Sequence, residues 1–313
     1  MLRALLVRLG SLSSVLLGVS LITYGFMFLT PGDPAYTILR EQRQSPPSES
    51  QVASFRAEHG LDDPFLVQYV SWLTDALQGD LGTSYYQSES ITSLVLASLP
   101  NTLELALAAT AVSLVLAVPL GVLSAVHRDT WIDRTSQIAA LIGVSMPNFW
   151  LGYLLLLVCS LWLGLTPVGG VGTFGHLVLP AITLGSGMAA IVTRIVRTSM
   201  LEVIEADYVD TARSKGVRNR LVIYKHALRN ALIPVVTIVG LQFGFVINGA
   251  VIVEAVFQRP GLGTLLVDAV FARDYPIVQG VVLVTAIAFV VTNQVVDLAY
   301  VALDPRVERG ERS

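Results

Sequence analysis

The stretch EVIEADYVDTARSKGVRNRLVIYKHALRNALIP, residues 202–234, lies where the chain concentrates its charge. From Arg194 to Arg229 stand eight basic residues, Arg194, Arg197, Arg213, Lys215, Arg218, Arg220, Lys225 and Arg229, beside the acids Glu202, Glu205, Asp207 and Asp210. The sequence on either side is apolar for long runs. A charged segment between two such runs reads as a loop between membrane spans. Composition agrees, because 313 residues that are 53% hydrophobic and only 14% charged are poor in charge for soluble domains. The net charge of -3 points to no nucleic acid.

A hydrocarbon core ~30 Å thick needs about 20 apolar residues in a helix. Six runs qualify, roughly 9–30, 101–126, 135–163, 177–200, 231–256 and 276–300. No charge occurs between Arg134 and Arg194, where GLTPVGGVGTFGH (164–176) supplies the turn between two spans. Arg3 and Arg8 before the first run resemble a signal peptide, but the run is too long for an h-region and ends in TPGDP, so it reads as an uncleaved anchor. With the N-terminus inside, fifteen of the 20 Lys and Arg fall in inner segments; Arg40, Arg43, Arg56, Arg259 and Arg273 fall outside. The expectation is an all-α polytopic membrane protein with six transmembrane helices and both termini cytoplasmic.

The domain reading follows. Residues 1–30 form an N-terminal span, 31–98 an extracytoplasmic segment, 99–303 a membrane domain with a cytoplasmic loop at 201–230, and 304–313 a cytoplasmic tail. Within 31–98, PFLVQYVSWLTDAL has helical spacing, with Phe65, Val67, Tyr69, Val70, Leu73 and Leu77 on one broad face. A small, partly helical cap is expected there.

In the charged loop, Leu201, Ile204, Tyr208 and Ala212 fall at near-helical spacing. Acids precede bases, which suits the macrodipole of a helix running toward Gly216. Gly216 is expected to stop it by taking a positive φ. A second helix is expected to follow, with Val217, Leu221, Tyr224 and Leu228 as its apolar stripe. A positive-inside loop does not require such an order. A stiff helical hairpin would present a convex knob to a cytoplasmic partner.

DTARSKG (210–216) resembles the EAA-x-x-x-G loop of ABC importer permeases, where a short coupling helix docks on a cytoplasmic ATPase subunit. Ala212 and Gly216 fit that pattern, while Asp210 and Thr211 stand where it has Glu and Ala. LTPGDP (29–34), LDDPFLVQYVSWL and GDLGTS (61–84), PNTLELA (100–106), MPNFWLG (146–152), HALRNALIPVVT (226–237), EAVFQRPGLG (254–263), RDYPIVQG (273–280) and LDPRV (303–307) each resemble the dipeptide/oligopeptide/nickel permease branch. The resemblance spans nearly the whole chain. It implies one helix and an outer segment before a five-helix permease core, in a prokaryotic plasma membrane. It implies coupling to the ATPase through Glu205, Asp207, Tyr208, Asp210, Thr211, Ala212, Arg213, Lys215 and Gly216. The implied partners are a second, homologous permease, two ATPase subunits and an extracytoplasmic substrate-binding protein. The implied solute is a di- or oligopeptide, with nickel or another non-peptide solute as the alternative.

No G-x-x-x-x-G-K-[ST] phosphate cradle occurs, so any ATP and Mg belong to another chain, and no cofactor is expected here. A proton-coupled carrier would need ionisable groups inside the spans. Glu104, Glu254 and Asp297 sit near span ends, where they can reach polar partners. For an enzyme, His59, His127, His176 and His226 have no metal-ligand spacing, and Cys159, the single cysteine, has no companion. GSG (185–187) reads as helix-packing glycine. Asn148, after a helix-bending Pro147, and Gln242 and Asn248 are the candidates for lining a path; interhelical hydrogen bonding is their plainer role.

Overall fold

The computed structural model describes residues 2–29, 32–43 and 45–303, which are almost wholly helical apart from turns and one isolated bridge between Thr83 and Ser90. The expected tail 304–313 lies outside the described residues. The helices are α1 (Leu2–Leu29), α2 (Pro34–Arg43), α3 (Glu49–Glu58), α4 (Phe65–Leu77), α5 (Ile91–Val126), α6 (Trp131–Ser145) and α7 (Asn148–Leu155). After a π-helical turn at Leu156–Trp162 come α8 (Gly175–Ile204), α9 (Asp207–Ser214) and α10 (Asn219–Leu221). A second π-helical turn, Val222–Ala227, leads into α11 (Leu228–Val256), α12 (Leu262–Ala272) and α13 (Tyr275–Leu303).

Among the described residues, Ile91–Val126, Gly175–Ile204, Asn219–Val256 and Tyr275–Val296 are long and apolar enough to cross a membrane. The run expected as one span over 135–163 is instead two helices bent by 101°. Pro147 causes this. It lacks an N–H and pushes the residue before it out of the helical region, and Met146 is extended at φ -81, ψ 125. In α1 the apolar stretch is Leu12–Phe26, within a helix of 28 residues.

Contacts divide the chain into two compact units, Met1–Asn101 with Gly261–Ala288, and Thr102–Pro260 with Phe289–Ser313. The first has a core of Leu81, Ile91, Val95, Leu262, Ala269, Ile277 and Val281. A Cβ on Gly280 would come within 2.6 Å of Ile91, so glycine lets α13 approach the start of α5. Tyr69 anchors α4 against α1. Its hydroxyl is 2.8 Å from Ser20 and its ring meets Tyr24 edge-on at 5.6 Å. The apolar face of α4 differs from expectation, because Gln68 and Tyr69 are buried whereas Val67, Val70 and Leu77 are exposed. Gln68 is satisfied there by the carbonyls of Leu61 and Asp63. In the loop before α5, the Ser84 hydroxyl donates to Asp274 at 2.5 Å. Burial, with Tyr24 and Asp274 adding, pushes the Tyr85 phenol well above its usual range.

In the second unit α8 is the central helix, with Leu179, Leu184, Met188, Val192, Val196 and Met200 among its buried residues. Small residues let its neighbours approach closely. A Cβ on Gly121 of α5 would lie 2.6 Å from Val196, and one on Gly185 of α8 would lie 2.5 Å from the Ala109 carbonyl oxygen. Gly185, the first glycine of GSG, is therefore a packing residue. Gly152 of α7 faces Thr183, and Gly249 of α11 faces Leu184.

Candidate functional site

α8 ends at Ile204, and the chain turns at Glu205 and Ala206 before α9 begins. Asp207 and Asp210 fall in the first turn of α9 and Arg213 in the last, the order the macrodipole favours. Thr211 donates to the Asp207 carbonyl at 2.9 Å, and Arg213 pairs with Asp210 at 3.2 Å. Gly216 ends the helix with φ +77, as its position predicts. The Gly216 N–H donates to the Arg213 carbonyl at 2.9 Å and the Val217 N–H to the Ala212 carbonyl at 3.2 Å. That pair is a Schellman closure, which consumes carbonyls the helix end would leave unpaired.

The register of the hairpin differs from expectation. α9 buries Val209 completely, whereas Tyr208 is exposed and Ala212 half-buried. The break at 205–206 resets the phase carried over from Leu201 and Ile204. In the returning arm Val222, Ile223 and Ala227 are buried, while Leu221 and Tyr224 face out. A π-helical turn closes i→i+5 hydrogen bonds, so the inward positions shift from a 3.6-residue stripe. Asp207, Tyr208, Asp210, Thr211, Arg213, Lys215 and Gly216 remain exposed. Tyr208 accepts from the Asn230 amide at 2.8 Å, and Glu205 from Arg128 at 2.9 Å. Asn230 lies within HALRNALIPVVT, but no local pattern pairs it with Tyr208 or Arg128 with Glu205.

A second polar group stands at the same end of the unit. Asp133, 2% exposed, receives Arg197 through Nε and Nη2 at 2.8 Å each. It also accepts from Ser124 at 2.5 Å, Gln137 at 2.8 Å and the Asp129 N–H at 3.0 Å. The carboxylate thus ties the end of α5 and the start of α6 to α8 just before the charged segment.

The path candidates lie apart. Asn148 is the first residue of α7, half-buried at the 146–147 break, with Oδ1 3.8 Å from where a Gly187 Cβ would lie. Gln242 is half-buried on α11; Asn248 is exposed, and its amide reaches the Gly244 carbonyl at 3.4 Å. Of the carboxylates near span ends, Glu104 and Glu254 have polar partners, and the Asp297 side chain lies outside the described residues. Glu254, fully buried, accepts from Thr102 at 2.6 Å, and Glu104 pairs at 2.9 Å with Arg259, itself 1% exposed. Arg259, expected among the outer-loop charges, is therefore buried. Among the described residues no group of three His, Cys, Asp or Glu could hold a metal ion.

Residues 117–309 match the family model described as binding-protein-dependent transport system inner membrane component. Residues 1–106 match its companion for the N-terminal part of such membrane components. The chain is 41% identical over 305 residues to the oligopeptide transport system permease protein AppB of Bacillus subtilis, covering 94% of this chain and 95% of that protein. It is also 41% identical over 307 residues to the glutathione transport system permease protein GsiC of Pectobacterium atrosepticum, covering 98% and 99%. An inward-facing structure of the MetNI methionine ABC transporter shares the fold, with a TM-score of 0.58 at 20% identity over 67% of this chain and 96% of that one. So does an amino acid ABC transporter solved with histidines, at 0.53 and 14% identity over 67% and 94%.

Proposed function

The chain belongs to the binding-protein-dependent transport system inner membrane components, and from that premise we propose that it carries peptides by coupling its spans to a separate ATPase. It is the permease subunit of an ABC importer, a transport component and not itself an enzyme. Peptide is the solute class we favour, because the similar permeases are named for oligopeptides and for glutathione.

The observation that carries the coupling reading is α9. Eight residues closed at Gly216 hold Asp207, Tyr208, Asp210 and Arg213 outward, with Lys215 at the C-cap, on a helix braced from beneath by the buried Val209. A stiff charged knob of this kind suits docking in a cleft of an ATPase, with ATP and Mg bound on that other chain. The complex would hold two such permeases, two ATPases and an extracytoplasmic binding protein. Closure of the ATPases would press on 202–229, tilt α8 and α11 and open the path outward; hydrolysis would reset it. The 201–230 loop and both termini are cytoplasmic in this reading.

The test is reconstitution. The purified chain alone should show no ATPase activity above empty membranes, and the complete complex should take up peptide only with ATP. Robust hydrolysis by the single chain, or ATP-driven uptake of nickel but not peptide, would contradict the reading.

A further inference from the structure

α8 is hemmed in on most sides, by Ala109 at Gly185, by Gly143 at Ser186, by Gly152 at Thr183 and by Gly249 at Leu184. One stripe stays open. Gly187 and Ile191 are half-buried, and Arg194, Thr198 and Glu202 are exposed, at the three- and four-residue steps of a single helix face. Arg194 and the facing side of α6, Gln137, Ile138, Ala140, Leu141 and Val144, line a cavity of about 260 Å³.

The two arginines here differ. Arg197 is held bidentately by Asp133, whereas the ion pairs among the described residues give Arg194 no carboxylate. Arg194 stands about three turns from the end of α8 that leads to α9, and a guanidinium on that face requires an anion or water. A lipid phosphate would leave the rest of the stripe facing acyl chains. That fits poorly, because polar groups continue on both sides of Arg194, with Thr198 and Glu202 toward α9 and Asn148 beside Gly187 in the other direction. This is the pattern of a wetted route. The seven steps from Gly187 to Arg194 rise about 10 Å, the reach of roughly three extended peptide residues.

Resting on the peptide reading above, we propose that Arg194 is a solute-binding residue that takes the C-terminal carboxylate of the peptide in transit, its chain running along α8 toward Asn148. The binding protein selects peptides beforehand, so the test must isolate the permease step. The complete complex is reconstituted in vesicles, and uptake of a tripeptide is compared with that of its C-terminal amide, each saturating a binding protein whose affinity is measured separately. The parent should favour the acid. Arg194→Gln should lower acid uptake about tenfold, the scale of a lost charge-assisted hydrogen bond, and leave the amide unchanged, while Arg194→Lys restores most of the preference. Ile138→Glu, which sets a rival carboxylate in the same cavity, should abolish the preference with Arg194 intact, and it decides the matter if Arg194→Gln fails to assemble. Equal transport of acid and amide by the parent would overturn the proposal. So would an equal loss for both in Arg194→Gln, or a loss that follows removal of anionic lipid instead of the peptide terminus. No peptide uptake by the parent would overturn the peptide reading itself, and this one with it.

Discussion

At one end of the second unit two sets of charges a few turns apart are treated in opposite ways. Asp133 is buried and receives five hydrogen bonds, from Arg197, Ser124, Gln137 and the Asp129 N–H. The charges of α9 stay in the open. Among the described residues Asp210 pairs with Arg213, in an exposed pair of the kind worth about 0–1 kcal/mol. The difference separates holding from presenting. A buried, fully satisfied carboxylate fixes where α5, α6 and α8 end, and the exposed set adds little beyond the macrodipole's preference for acids before bases, so its side chains are left presented at the surface.

That contrast can be broken from the buried side first. Asp133→Ala leaves Arg197 without its carboxylate, and removing one member of a buried pair costs about 3–5 kcal/mol. The amount of protein in membranes and its melting temperature in detergent should both fall steeply. Gly185→Ala comes next. A methyl 2.5 Å from the Ala109 carbonyl oxygen forces α5 and α8 apart, at about 1–3 kcal/mol, so the melting temperature should drop while some protein still inserts. Arg218→Gln should do least, within about 0.5 kcal/mol, because the residue is exposed at the turn between α9 and α10. A melting shift as large as that of Gly185→Ala would mean the hairpin charges hold the fold after all.

The two sets were not equally legible. α9 declares itself locally, since acids, bases and a glycine within ten residues specify a capped helix, and Gly216 takes the positive φ expected of it. The Asp133 group joins positions 124, 133 and 197, and no local periodicity marks residues that meet only after the helices pack. Arg259 shows the same limit. Its charge is countable in the sequence, but its burial and its pairing with Glu104 appear only in the fold. Phase was lost where helices change type. The π-helical turn at Val222–Ala227 moved the inward face off Leu221 and Tyr224, and although Pro147 marks a bend, unbroken hydropathy gave no sign that it reaches 101°.

Topology bears on the same contrast. Cysteines placed at residues 50 and 218 should label from outside intact cells and only after permeabilisation, respectively; the reverse pattern would set α9 on the wrong side for any ATPase.

The central claim, that α9 transmits the work of a separate ATPase, is tested most directly by Gly216→Val in the reconstituted complex, read as solute moved per ATP hydrolysed. A β-branched residue at φ +77 costs about 1–3 kcal/mol of local strain and redirects the chain leaving α9. No side-chain clash complicates it, because a Cβ there meets nothing within 4 Å. The account predicts near-normal amounts in the membrane with uptake per ATP reduced several-fold, or with the ATPase subunits released. Unchanged uptake per ATP would contradict it and leave the segment an ordinary positive-inside loop.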